Sequence, residues 1–217
     1  LCGFVLENSN KVLGLGKFDA KTSSAINQSL KDMQGKLGKL NIIPIPGKKH
    51  AQRILLAGLG RKENLTKDTI RLVSGKIAQK ARELKLEEFS IITPPSFVTD
   101  QISSVSQIVE GSKMALYKFD QFKTEKIDNS PDLTIIVSKS NKTLQAIKTA
   151  VIVADGAIFT KSIANLPPNE CTPSTLANFA RTISKKNKMK CSIISNPELK
   201  KKGFGGITAV GQGSKNE

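Results

Sequence analysis

Four short stretches of this sequence carry residue types that could do chemistry. The run Ile207-Thr208-Ala209-Val210 leads onto Gly211-Gln212-Gly213-Ser214, and open α/β proteins place their ligands at the carboxyl ends of strands. Gly14-Leu15-Gly16-Lys17-Phe18-Asp19 offers either a dinucleotide loop or a Lys/Asp metal site. A nucleotide fingerprint needs a third glycine with a helix opening on it, and Asp19 stands in that place, so a turn after an edge strand is expected. Gly58-Leu59-Gly60 fails the same test at Glu63 and reads as a turn that needs positive φ between a strand and a helix. Gly203-Phe204-Gly205-Gly206 lacks the Lys-Ser/Thr with which a P-loop holds phosphate and metal, and it leads into the strand expected at Ile207.

Other catalytic constellations are missing. There is no His-Glu-x-x-His, no Gly-x-Ser-x-Gly, and residues 164–217 hold only Glu170, Glu198 and Glu217 as acids. The one histidine, His50, sits among lysines with no neighbouring ligand and reads as a surface residue. Cys2, Cys171 and Cys191 form no Cys-x-x-Cys pair; they read as reduced, mostly buried thiols of a cytoplasmic protein. No catalytic, metal-binding or cofactor-binding residue is assigned in this stretch of chain, and its substrate-binding residues are unknown.

The 217 residues carry 38% hydrophobic content and a formal charge of +16, enough for one large or two modest domains. The charge is spread: residues 161–217 hold ten Lys/Arg against three Asp/Glu, and residues 1–160 hold 24 against 15. Clustered Lys and Arg can track a phosphate backbone, but with one Tyr and no Trp there is little to stack on bases. A solvated lysine-rich surface fits better. The apolar run 149–154 is broken by Asp155 and Lys161, well short of the roughly 20 residues of a membrane span, so no membrane segment is expected. The chain opens on Leu1 in a strand-like stretch without a basic, then apolar leader, so no secretory signal is expected and residues are expected upstream.

Residues 1–141 alternate strands and helices as an α/β layer structure does. Strands are expected at Cys2 to Leu6, Arg53 to Ala57, Phe89 to Ile92 and Leu133 to Val137. Helices are expected from Lys67 to Leu84, with Thr66 as N-cap, and from Gln101 to Leu116, where apolar residues recur every three or four positions. Residues 142–164 read as a connector helix. The sequence Asn165-Leu166-Pro167-Pro168-Asn169 then forbids further helix and marks a boundary. Beyond it, Thr172 and Pro173 open a helix with an expected buried face of Leu176, Phe179, Ala180 and Ile183, and Lys185, Lys186 and Lys188 crowd its last turn. A strand at Cys191 to Ile194, a short helix from Asn196 to Gly203 and a strand at Ile207 to Val210 would make residues 165–217 an incomplete βαβ unit.

Asn165-Leu166-Pro167-Pro168-Asn169, Thr172-Pro173, Leu176-Ala177 and the stretch from Gly203 to Ser214 resemble, in order and spacing, the entry into the catalytic domain of leucyl (cytosol) aminopeptidases. Leu56-Ala57-Gly58-Leu59-Gly60-Arg61-Lys62 and Tyr117-Lys118-Phe119-Asp120-Gln121-Phe122-Lys123 look like the amino-terminal domain of the same family. The resemblance implies an α/β fold: a three-layer, macro-domain-like domain, a connector helix, and the truncated start of an α/β catalytic domain. It implies a cytosolic parent enzyme that removes amino-terminal residues from peptides with two divalent ions, Mn or Zn, and that assembles as a homo-hexamer. The family's ligands lie in motifs of the types Lys-Gly-x-Thr-Phe-Asp-Ser-Gly-Gly and Asn-Thr-Asp-Ala-Glu-Gly-Arg, and neither occurs in these 217 residues. The fragment is therefore expected to be inactive by itself. The competing reading is a basic α/β module that binds nucleic acid or a nucleotide-like ligand, suggested by the charge and by the likeness to macro domains.

Overall fold

The structure, a computed structural model, describes residues 1–16, 18–45, 52–96, 98–125 and 130–214. The chain divides into two compact units, Leu1–Phe159 and Thr160–Glu217. The first is built on a six-stranded mixed sheet: β1 (Cys2–Leu6), β2 (Val12–Leu13), β3 (Leu40–Pro44), β4 (Arg53–Gly60), β5 (Glu88–Ile92) and β6 (Asp132–Ile136). The order is β3-β4-β1-β5-β6, with β2 beside β1. β1 runs parallel to β4 and β5, and β5 to β6; β3 on β4 and β2 on β1 are antiparallel.

Successive side chains of a strand point to opposite faces, and the central strands are apolar on both. Phe4, Leu55, Ala57 and Leu59 face one layer, where they meet Ile70, Val73 and Ile77 of α2 (Lys67–Glu83) and Ile108 of α3 (Gln101–Leu116). Val5, Ile54 and Leu56 face the other, against Ile26, Leu30 and Met33 of α1 (Ala20–Met33). The result is a three-layer α/β domain. Each fully buried Leu, Ile or Phe contributes about 1.5–3 kcal/mol.

The helices start where side chains can satisfy their first N–H groups. Thr66 and Thr69 cap α2 reciprocally, and Asp100 accepts from the Ser103 N–H at the start of α3. Ser140 and Thr143 do the same for α4 (Asn141–Ala164). At the far end of α3, Arg82 donates to the Leu116 carbonyl at 3.2 Å, placing positive charge at the negative end of a helix. Neither α1 nor β3 is anticipated by the sequence reading. α1 buries Thr22 and Ser29 alongside its three apolar residues, which blurs its apolar period.

The second unit contains the end of α4, then α5 (Pro173–Lys186), α6 (Asn196–Lys201) and α7 (Gly205–Gly211). Thr172 caps α5 as expected, its Oγ1 accepting from the Thr175 N–H at 3.3 Å, with Pro173 in the first turn. The two strands expected here are not formed. Cys191–Ile194 has no regular structure, and the run Ile207–Val210 lies inside helix α7. A strand needs a neighbour to take its N–H and C=O groups, and among the described residues the strands of the sheet lie between residues 2 and 136. Over 205–211 the backbone instead bonds to itself, Thr208 N–H to the Phe204 carbonyl and Gln212 N–H to that of Thr208. The expected buried face of α5 is also not found: Leu176 and Ala180 are exposed, and Phe179 and Ile183 are half-buried.

Candidate functional site

In an open α/β sheet the place to look is the crevice at the strand carboxyl ends, where neighbouring connections leave in opposite directions. Here that place adjoins β1, and the chain's own backbone fills it. On the β4 side, Glu7 N–H donates to the Gly60 carbonyl (2.8 Å), Gly60 N–H to that of Gly35 (2.9 Å) and Asn8 N–H to that of Gln34 (3.1 Å). On the β5 side, β5 is paired in register with β1 at Cys2, opposite Ile91, and β2 takes over with Phe4 opposite Leu13 and Val5 opposite Val12.

Glycine makes this closure possible. A Cβ on Gly58 would lie 2.0 Å from the Lys36 carbonyl oxygen, and one on Gly35 would lie 2.2 Å from that of Leu6. Gly58 is therefore not in a turn, as the sequence reading has it, but inside β4, where the 35–39 segment crosses it backbone to backbone. Gly60, with φ of +77°, is the residue that needs a left-handed conformation. Gly58-Leu59-Gly60 is thus occupied in packing.

The 14–19 stretch follows β2, as expected. A helix does open on it, because Asp19 is the N-cap of α1, accepting from Thr22 N–H at 2.9 Å and Thr22 Oγ1 at 3.1 Å. A carboxylate thus holds the place where a phosphate would sit on a nucleotide-binding helix. The adjoining cleft, about 350 Å³, is lined chiefly by Val12, Leu15, Phe18 and Ile26, with Lys11 the one charged residue among the described residues that line it, so among these it brings no acid–base pair together. Lys17 and His50 lie outside the described residues.

Gly203–Gly206 leads into α7 and not into a strand. Gly203 has φ of +76° and closes α6, whose start is held by Ser195 N–H donating to the Glu198 carboxylate at 3.3 Å. Gly211–Ser214 forms the turn after α7, with Ser214 N–H on the Gly211 carbonyl. Cys2 is buried and its pKa is pushed up from 9.0 to about 11 by burial, slightly opposed by the nearby N-terminal charge; its thiol stays protonated and inert. Cys171 is half-buried, whereas Cys191 is exposed and not buried as expected. Among the described residues no group of three or more His, Cys, Asp or Glu side chains could hold a metal ion.

The chain's similarities lie elsewhere. The family model "Cytosol aminopeptidase family, N-terminal domain" matches residues 4–126, and "Cytosol aminopeptidase family, catalytic domain" matches residues 158–217. A probable cytosol aminopeptidase of Cenarchaeum symbiosum is 41% identical over the whole chain, and one from Roseiflexus castenholzii is 33% identical over 86% of it. The chain spans only 43% and 39% of the lengths of those relatives. Among solved structures, the bottromycin maturation enzyme BotP superposes on 99% of the chain with a TM-score of 0.73 at 15% identity, matching 43% of its own length. A tomato leucine aminopeptidase mutant superposes on 85% with a TM-score of 0.67 at 21% identity, matching 38% of its own length; both likenesses concern the fold. With an amino-terminal-domain match covering more than half of its residues, this chain belongs to the cytosol aminopeptidase family.

Proposed function

We propose that these residues are the amino-terminal portion of a cytosolic aminopeptidase that removes amino-terminal residues from peptides, with 1–141 its amino-terminal domain, 142–164 the connector and 165–217 the start of its catalytic domain. The observation that carries the reading is the 41% identity, over the whole chain, to a probable cytosol aminopeptidase more than twice as long. Two divalent ions, Mn or Zn, are the cofactors the family implies, and a second BotP structure of similar fold is a complex with Mn. The described residues do not fit such a pair, since no cluster of donors is present among them. What these residues supply is a scaffold. A homo-hexamer in the cytoplasm is the proposed assembly.

The basic-module alternative lacks support in the geometry, because the crevice beside β1 is closed by backbone and the α1 start is capped by a carboxylate. The test is an assay on a leucine chromogenic substrate with added manganese or zinc. The complete product of the gene should turn over and the 217-residue chain should not. Absence of turnover by the complete product would overturn the enzymatic reading; turnover by the 217 residues, free of contaminating peptidases, would overturn the assignment of all ligands to residues beyond them.

A further inference from the structure

We draw no further inference here: the strongest candidate, the outer edge of the sheet at β6, where Thr134 and Ile136 are exposed, carries nothing because nothing in the structure shows what covers it.

Discussion

Cys2 occupies the first position of β1 with its side chain in the main core, beside Leu55 and Ile91 in register. Burial holds its pKa at about 11 against 9.0 unperturbed, which has a consequence for folding. Between those values the unfolded chain gives up the proton and the folded one keeps it, so the folded state binds more protons and stability falls as pH rises. The contribution is intact below pH 9 and lost through about pH 11, a loss on the order of 2 kcal/mol. Urea unfolding at pH 8 and pH 10.5 should show this decline in the wild type, and Cys2→Ala should show a shallower one. Parallel declines would mean that the thiol titrates normally and is open to water. The sequence announced Cys2 as a buried thiol, but Gly58 not at all: a glycine followed by Leu59-Gly60 looks like a turn, and only the crossing of residues 35–39, far away in sequence, makes it a strand residue.

At the scale of elements, the sharpest dependence is the α2–α3 crossing. Gly75 and Gly111 let the two helices approach until backbone meets backbone, and Arg71 adds an ion pair to Glu110 at 3.7 Å across the same seam. Because the obstacle to a Cβ at Gly111 is the Arg71 carbonyl and not a movable side chain, Gly111→Ala must push the helices apart, at a cost on the order of 2 kcal/mol. Calorimetry should register a fall in Tm of roughly 4–8 °C for a unit of this size. Gly206→Ala in α7, where an added Cβ meets nothing, should leave Tm unchanged or raise it; equal effects of the two changes would show that the crossing tolerates a methyl group. Elements bounded by a local signal are legible in the sequence: Thr66 before α2, the apolar period of α3, and Thr172-Pro173 before α5. The run Cys191–Ile194 has the composition of a strand but takes on no regular structure, because strand formation depends on a partner that no local pattern supplies. The closed crevice beside β1 depends on long-range backbone pairing that no spacing of residues reveals.

Across the whole molecule, burial is distributed very unevenly. The sheet-bearing unit holds two apolar clusters, whereas beyond Ala154 no described residue is buried, and Leu176, Met189, Ile207 and Val210 are more than half exposed. The helices there have 14, 6 and 7 residues, at or below the length of about 12–15 at which an isolated helix becomes marginal in water. Their stability comes from caps, such as Thr172 on Thr175 and Ser195 with Glu198, worth about 1 kcal/mol each, and not from a core. In the 217-residue chain, local opening of residues 165–214 should therefore cost far less than opening of the sheet, and a protease samples the open state in proportion to its population. Thermolysin, which cuts beside apolar residues, should make its first cuts beyond Asn165 and leave a product that begins at Leu1 and ends near the Pro167-Pro168 step. That product should stay soluble and keep one cooperative unfolding transition, while the released segments are degraded to peptides. Thermolysin resistance shared equally by both sides of that step, together with a single transition for all 217 residues, would show that α5, α6 and α7 are held by packing and that the boundary lies elsewhere.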